Sequence, residues 1–223
     1  MSEGGGPNDG RAVPSLPGDI EIRPLRADEV DQATDMLARA FRDDPGSIII
    51  EPDPAKRDIA MRTLFPVIVR EAVSAGEVTA AVSGGRILGI ATWLPPGRVL
   101  PTEDELVAAG LLDAVAAVPE AATRMGPMVA FLDEQMGRAI SGPHWRLEFF
   151  GVEPECQGSG LGSRLLEPGH RRADAAGELA YLETFTTKNV GWYAKRGWAV
   201  VIEGIVPGTD TPVWGLIREP RPT

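Results

Sequence analysis

The sequence is poor in the residues that form disulfides and metal sites. It has one cysteine, Cys156, and two histidines, His144 and His170, in 223 residues. A single cysteine excludes an internal disulfide, and no C-x-x-C motif or cysteine–histidine pair accompanies it, so we expect no metal site. This cysteine usage favours a reducing, cytoplasmic location.

Long apolar runs are also missing. No apolar stretch approaches the roughly 20 residues that a membrane-spanning helix needs. The opening segment, MSEGGGPNDGRAVPSLPGD, lacks the apolar core of a secretory signal. We therefore expect no membrane association. Residues 1–18 are rich in glycine and proline and are predicted to form a disordered tail, whereas 19–220 has the size of one domain.

Positive charge is in deficit, because 22 Lys and Arg face 32 Asp and Glu, a net charge of −10. This balance disfavours nucleic acid as a partner and favours cationic small molecules electrostatically. Solubility alone also explains an acidic composition, so the charge is a weak indication of substrate. We expect either a monomer or a homodimer.

The first 143 residues predict a strand, two helices, a hairpin and a helical insertion. A strand is predicted over 20–24, followed by a helix that Asp28 caps and that the cluster 43–46 stops. A second helix is predicted over 55–75, with Gly76 as its stop. Its predicted inward residues are Ile59, Leu64, Ile68 and Val73.

The β-rich runs 78–82 and 87–94 predict a hairpin, since Ser83-Gly84-Gly85-Arg86 joins them. After it, Thr102 and Glu105 form a capping box that begins a helical insertion carrying Leu106, Leu111, Leu112 and Val115. Three prolines are predicted to punctuate this insertion, namely Pro119, Pro127 and Pro143. From Trp145 the pattern predicts a strand, a glycine loop, a helix to about Ala176, the strand LAYLETF, a short helix around Trp192, and strands near Val200 and Val213.

The segment ECQGSGLGSRLLE is predicted to join a strand to a helix. Amides at a helix start lack intrahelical acceptors and lie at the positive end of the helix dipole, so this segment is suited to bind an anion. Its end, Gly162-Ser163-Arg164, lacks the Gly-Lys-Ser/Thr of a P-loop. Its alternate glycines do not match G-x-G-x-x-G, although Glu183 lies about 20 residues on, where the ribose-binding acid of a dinucleotide site would lie.

A third interpretation fits this loop. Gln157, Gly160 and Gly162 satisfy Q-x-x-G-x-G, which resembles the pyrophosphate loop of GNAT acyltransferases. The order of G-V-E-P, this loop, a helix, LETF and NVGWYAKRGW resembles the cofactor half of that superfamily. Within it, the motif order is most similar to the puromycin N-acetyltransferase type, which has a proline inside the loop helix, here Pro168.

The resemblance implies a GNAT fold of the α/β class (α+β mixed sheet). Such a fold has a central, mostly antiparallel sheet flanked by helices, with a V-shaped cofactor cleft. It implies a single domain over 19–220, with residues 19–143 on the acceptor side and 144–220 holding the cofactor.

The resemblance also implies acetyl-CoA as the cofactor and direct transfer of its acetyl group to the amine of a small molecule, such as an antibiotic or a metabolite. It implies Tyr193 as the acid that protonates the departing thiolate and Glu183 as the base. Glu148, flanked by Leu147 and Phe149 on the neighbouring strand, is a competing base that the resemblance does not carry. Asn189 either contacts the cofactor or caps the helix of Tyr193. The implied cofactor-binding residues are Phe150, Gly151 and Val152 along the pantetheine arm and Gln157, Gly158, Ser159, Gly160, Leu161, Gly162 and Ser163 in the loop.

Two other functions stay open, namely a protein lysine or N-terminal acetyltransferase and a catalytically silent acyl-CoA sensor. Tyr193 argues against a silent domain, because pure binding does not require it. Arg164, Lys188 and Lys195 are candidates for contact with the 3′-phosphate of CoA. Cys156 is assigned no role, because direct transfer needs no thiol and no histidine lies nearby in the sequence.

Overall fold

Seven strands form one mixed sheet in the computed structural model, which describes residues 18–74, 78–97 and 102–222. The strand order is β1-β2-β3-β4-β5-β7-β6. The predicted tail, apart from Gly18, and the predicted helix stop at Gly76 lie outside the described residues. The strands are β1 (Glu21–Pro24), β2 (Val78–Ser83), β3 (Arg86–Leu94), β4 (Trp145–Val152), β5 (Ala180–Thr184), β6 (Ala199–Ile205) and β7 (Pro212–Arg218).

Helices cover both faces of this sheet. Their bounds are α1 (Val30–Ala40), α2 (Pro45–Ile50), α3 (Pro54–Ser74), α4 (Glu103–Ala108), α5 (Leu111–Ala117), α6 (Pro119–Ala139), α7 (Leu161–Ala176) and α8 (Thr187–Ala194). None of the helices in the described ranges combines the length and hydropathy that crossing a bilayer requires. Helices α1, α3, α5 and α6 pack on one apolar core, and α7 and α8 pack on a second core across the sheet.

The pairing pattern confirms the predicted fold class. All neighbouring strands are antiparallel except β4 and β5, which are parallel. Strand β3 is apolar along nearly its whole length because both of its faces are covered, with Ile87 and Ile90 in one core and Leu88 and Trp93 in the other. The hairpin of β2 and β3 has the predicted turn at Gly84 and Gly85, both with positive φ.

The sequence analysis missed α2. Asp44 caps this helix, since its Oδ1 accepts a hydrogen bond of 2.9 Å from the amide of Gly46, and Pro45 occupies the first turn. An aspartate directly before a proline is a helix-start signal. The cluster 43–46 therefore both ends α1, as predicted, and begins α2.

One buried arginine fixes the two ends of α2. Arg57, on α3 and 6% exposed, donates from Nη1 to the carbonyl of Arg42 at 3.0 Å. It also donates from Nε to Glu51 O at 2.7 Å and from Nη2 to Pro52 O at 2.8 Å. These carbonyls lie before and after α2, so one side chain ties that helix to α3.

Several local predictions were wrong. Ile59 was predicted to face inward but is 61% exposed, whereas Ala60, Met61 and Leu64 are buried. Successive residues of an α-helix point about 100° apart around the helix axis. An error of one position in assigning the inward face therefore exchanges a buried residue for an exposed one. In the helical insertion, the apolar residues Leu112 and Val115 are exposed.

Two predicted helix boundaries also differ. Asp28 does not cap α1, because its carboxylate pairs with Arg26 while Glu29 accepts the Arg26 amide at 3.1 Å. Pro127 was expected to interrupt the insertion but lies inside α6. The capping box of Thr102 and Glu105 is confirmed at the start of α4.

The imidazole of His170 on α7 packs between two indoles. Its ring centroid lies 6.1 Å from that of Trp93 and 5.7 Å from that of Trp198. Burial, reinforced by the positive charge of Arg218, lowers the pKa of His170 from 6.5 to about 4. The folded protein therefore keeps this ring neutral at pH values where an unfolded chain protonates it.

We expect His170 to make the fold acid-sensitive. Between pH 6.5 and about 4 the unfolded chain binds a proton that the folded chain does not, so the free energy of unfolding falls as the pH falls through this range. His170→Phe should flatten the melting temperature against pH there, measured by circular dichroism. His144, which is only partly buried, supplies the control, because His144→Asn should keep the wild-type slope. Equal slopes for His170→Phe and wild type would contradict the assignment.

Candidate functional site

A cleft opens where β4 and β5 separate. The two parallel strands pair only at Trp145 with Ala180 and at Arg146 with Tyr181. Beyond Arg146, β4 pairs with β3 on one side, and none of the strands that the structure describes pairs with its other edge. The backbone of β4 toward its carboxyl end therefore borders an open space, as expected for a V-shaped cleft.

A β-bulge lies at the point of separation. Thr92 pairs with Phe149 and Trp93 with Leu147, so Glu148 is an extra residue on β4. The hydroxyl of Thr92 accepts a hydrogen bond from the Phe149 amide at 2.8 Å, which satisfies that amide within the sheet. Bulges bend a strand and redirect its edge, and this one lies next to Phe150, the first predicted pantetheine contact.

The cleft has a volume of about 770 Å³ and receives side chains from both layers of helices. Phe41 and Asp44 line it from the α1–α2 side, and Trp192 and Tyr193 line it from α8. Ten of the thirteen predicted site residues lie in its wall. These are Phe150, Gly151, Val152, Gln157, Gly158, Gly160, Gly162, Ser163, Asn189 and Tyr193.

The glycine loop forms one end of the cleft. Gly158 and Gly160 have φ values of +81° and +87°, which L side chains rarely adopt, and a Cβ on either would meet no atom within 4 Å. Gly160 is the N-cap of α7, so the amides that follow it lie at the helix start. The open space beside these glycines fits an anion held by backbone N–H groups.

Side chains within the loop hold this shape. Gln157 Nε2 donates to the carbonyl of Val152 at 3.2 Å, and the Ser159 hydroxyl donates to the carbonyl of Cys156 at 2.6 Å. Leu161 is fully buried in the α7 core. Ser159 and Leu161, two of the predicted cofactor contacts, are thus not in the cleft wall.

Tyr193 lies in the wall opposite α1 and α2. Its ring packs against Trp192, Trp198 and Phe150, with centroid distances of 5.0, 5.7 and 6.4 Å. Burial raises the pKa of its hydroxyl, the charge of Arg196 opposes that shift, and the charge of Asp44 adds to it. The hydroxyl therefore stays protonated at neutral pH and can donate a proton.

Thr186, not Asn189, caps the helix of Tyr193. The Thr186 hydroxyl accepts from the Asn189 amide at 3.3 Å. The Asn189 side chain donates from Nδ2 to Thr184 Oγ1 at 3.0 Å, which joins α8 to β5. Of the two predicted roles, the capping role was wrong, and Asn189 lies in the cleft wall.

Glu183 lies on β5 but is not in the cleft wall. Its carboxylate pairs with Arg146 at 3.2 Å, and Arg146 also pairs with Asp133 at 2.6 Å. Burial raises the pKa of Glu183, while the Arg146 charge opposes that shift. The predicted base is therefore already engaged in a buried ion pair. Glu148, its competitor, is the bulge residue.

The sequence analysis missed Arg196. Its guanidinium donates from Nη2 and Nε to Ser163 Oγ at 2.6 and 3.0 Å, and its Cζ lies 3.5 Å above the Trp192 ring. Arg196 therefore places positive charge in the cleft beside the glycine loop. Of the predicted phosphate contacts, Lys188 lines the cleft, whereas Arg164 donates to the carbonyl of Ile20.

Cys156 lies in the cleft wall but is not activated as a nucleophile. Burial, followed by the charges of Glu155 and Glu153, raises the pKa of its thiol. A nucleophilic cysteine requires a lowered thiol pKa. The geometry thus agrees with assigning it no catalytic role.

The chain matches the model of the acetyltransferase (GNAT) family over residues 42–198 and belongs to that family. Three solved structures share its fold. A histone acetyltransferase HPA2 and related acetyltransferase from Corynebacterium glutamicum is 22% identical, with a TM-score of 0.63 over 92% of this chain and 98% of the other. A polyamine N-acetyltransferase of Drosophila melanogaster, which forms N-acetylagmatine, is 16% identical, with a TM-score of 0.61 over 90% and 100%. The PaiA N-acetyltransferase of Thermoplasma acidophilum, in complex with coenzyme A, is 14% identical, with a TM-score of 0.52 over 91% and 99%.

Since members of the GNAT family use acetyl-CoA or CoA, we expect Gly160→Val to weaken CoA binding strongly. A β-branched side chain at positive φ is strained by about 1–2 kcal/mol, and its methyl groups would fill the space beside the loop amides. Isothermal titration with CoA measures the loss.

Gly177 provides a matched control at the other end of α7, with φ of +67° and no atom within 4 Å of the place that a Cβ would take. Gly177→Val should lower the melting temperature by a similar amount and leave CoA affinity unchanged. Equal CoA affinities for Gly160→Val and wild type would exclude the loop as the phosphate site.

Proposed function

We propose that the protein is an acetyl-CoA-dependent N-acetyltransferase that acetylates the amine of a small molecule. The observation that carries this proposal is the position of Tyr193, a protonated hydroxyl in the same cleft as the glycine loop. A cofactor that spans from the loop to Tyr193 would lie along the free edge of β4. The family match and the acetyltransferases among the structural neighbours support it.

The residues of the cleft fit CoA chemically. The amides at the start of α7 and the space at Gly158 and Gly160 suit the pyrophosphate. The edge of β4 at 150–152 suits the amides of the pantetheine arm, in the manner of an added strand. When bound, acetyl-CoA supplies an activated acetyl thioester.

Arg196 extends this proposed site for phosphate. A guanidinium fixed by Ser163 and stacked on Trp192 is pre-positioned to form charge-assisted hydrogen bonds with a phosphate. Its side chain is already ordered by these contacts, so little additional entropy is lost on binding. The exposed predicted cations Arg164 and Lys195 lack this placement.

We expect Arg196→Gln to weaken CoA binding by about 10- to 100-fold, the value of a hydrogen bond to a charged group. Calorimetric titration with CoA measures this effect. S-acetylpantetheine, which lacks the nucleotide phosphates, should bind the variant and wild type equally. Arg164→Gln serves as the control and should leave CoA affinity unchanged. If Arg196→Gln lost as much affinity for S-acetylpantetheine as for CoA, the loss would indicate disruption of the end of α8 and not of a phosphate contact.

The ring of Tyr193 packs against other aromatic rings, so the hydroxyl is the part of this side chain that can take part in the reaction. It would donate its proton to the sulfur of the leaving group, and its raised pKa keeps that proton in place until negative charge develops. Glu183 and Glu148 remain proposed bases for the acceptor amine. The ion pair of Glu183 with Arg146 makes any such action indirect.

A small amine is the proposed acceptor, because the cleft is lined by Phe41, Asp43 and Asp44 on the side away from the glycine loop. The N-acetylagmatine product of the Drosophila neighbour agrees with this class. The motif order similar to puromycin N-acetyltransferases supports an antibiotic or metabolite within it. We further propose a single domain over 19–220 that acts in the cytoplasm as a monomer or homodimer.

The proposal is tested by thiol release from acetyl-CoA across a panel of alkylamines, polyamines, aminonucleosides and lysine or N-terminal peptides. Small amines should give turnover and peptides should not. Faster turnover with peptides would favour a protein acetyltransferase. CoA binding without thiol release from any acceptor would favour a silent sensor.

We expect Tyr193→Phe to lower kcat by roughly 10²- to 10⁴-fold with little change in acetyl-CoA affinity, since only the proton donor is lost. The chain has one other tyrosine, Tyr181, which is buried outside the cleft wall. Tyr181→Phe removes a buried hydroxyl that lies beside Glu183, and it should lower kcat far less than Tyr193→Phe if Tyr193 is the proton donor. Wild-type turnover by folded Tyr193→Phe would exclude the acid role.

A further inference from the structure

The cleft has two chemically different sides. The side formed by the glycine loop, Trp192 and Arg196 carries the features that suit CoA. The opposite side is formed by the end of α1 and the start of α2, where Asp44 lies. An acceptor amine that meets the thioester from the free side would therefore pass Asp44.

Asp44, a half-buried acid of the cleft wall, has no ion-pair partner among the described residues, in contrast to three other acids of the fold. Glu183 pairs with Arg146, Glu51 with Arg124 and Glu153 with Arg39. No ion pair joins Asp44 to another side chain in the described ranges, and only the backbone amides at the start of α2 hydrogen-bond to it. A carboxylate with this environment retains capacity to accept a proton.

The surroundings of Asp44 fix its position. The Gly46 amide holds Oδ1 at 2.9 Å, and the Phe185 ring packs on Gly46 so closely that a Cβ there would lie 2.8 Å from it. Arg57 ties the segments before and after α2. The carboxylate therefore has a defined place in the cleft wall.

From this arrangement we propose that Asp44 is the catalytic residue that takes the proton from the acceptor ammonium, opposite Tyr193. This inference rests on the proposed acetyltransferase function. It keeps the proposed roles of Tyr193 and of the glycine loop, and it replaces Glu183 and Glu148 as the proposed base with a residue that lies in the cleft wall.

The proton and electron balance closes with these two residues. The acceptor arrives as RNH₃⁺, and Asp44 accepts one proton to leave RNH₂. The nitrogen lone pair forms the new C–N bond, the C–S bond breaks with its electron pair on sulfur, and Tyr193 protonates that sulfur. The second nitrogen proton restores the Tyr193 hydroxyl, and the proton on Asp44 leaves to solvent. One ammonium and one thioester thus give one amide, one thiol and one proton.

Burial supports the role, because it raises the pKa of Asp44 above that of an ordinary aspartate and makes it a better proton acceptor. The amides of Gly46 and Ser47 oppose that shift. The other titratable and charged side chains of the cleft wall are Arg39, Asp43, Cys156, Lys188, Tyr193 and Arg196.

The test compares Asp44→Asn with Asp53→Asn. Both aspartates precede a proline and cap a helix, since Asp53 Oδ1 accepts from the Ala55 amide at 2.9 Å, but Asp53 is not in the cleft wall. Asparagine caps helices about as well as aspartate, so both variants should fold. Asp44→Ser keeps a capping oxygen and repeats the measurement with a second side chain.

Two acceptors separate proton transfer from structural effects. One is the alkylamine that the wild type acetylates fastest, and the other is its β,β-difluoro analogue, whose lower pKa leaves a large fraction of it neutral at pH 7. For the alkylamine, Asp44→Asn should lower kcat/KM by roughly 10²- to 10⁴-fold at pH 7. This loss should shrink as the pH approaches the pKa of the amine, and it should be much smaller for the analogue. Asp53→Asn should match wild type, and acetyl-CoA affinity should be unchanged throughout.

Equal losses for both amines, or a rise in KM alone without a change in the pH profile, would overturn the proposal. Wild-type kinetics of Asp44→Asn would also overturn it and leave the acetyltransferase function standing. Failure of the wild type to acetylate any amine of the panel would overturn both.

Discussion

The separation of β4 and β5 is the constraint on which the rest of the molecule depends. Two parallel strands pair for two residues and then diverge at a bulge, which leaves one edge of β4 bare inside the sheet. The glycine loop follows β4 and α8 follows β5. Both elements therefore begin at the carboxyl ends of the diverging strands, where open sheets bind ligands, and the loop and Tyr193 face one cleft.

An opened sheet loses ladder hydrogen bonds and exposes backbone, so its walls must be held by other contacts. Aromatic clusters hold both sides. Phe149 packs against Phe41 and Phe65 with ring centroids 5.8 and 5.0 Å apart on the α1 and α3 face. On the α8 face, Tyr193 and Trp192 pack edge to face at 5.0 Å. Aromatic packing thus supports the cleft from both faces of the sheet.

Local sequence signals predicted most residues of the cleft wall around the glycine loop. The loop Q-x-x-G-x-G encodes its own geometry through two left-handed glycines, and the strand–loop–helix order encodes where that loop lies. The part of the cleft at α1 and α2 was harder to predict, because contacts between distant segments define it. The Asp-Pro signal for α2 was legible at Asp44, but nothing local shows that this cap lies across from Tyr193. Similarly, Glu183 forms an ion pair with Arg146, 37 residues away, and no periodicity reveals that pairing.

Arg57 has a consequence for how the cleft meets its ligands. Through three backbone carbonyls it makes α2 and the turns on either side of it one rigid piece with α3. The conformational entropy of this segment is therefore lost when the chain folds and not when a ligand arrives. Arg57, which is outside the cleft wall, thus bears on the affinity for any ligand of the cleft. Without its hydrogen bonds, each binding event would include the ordering of α2 and the turns on either side of it.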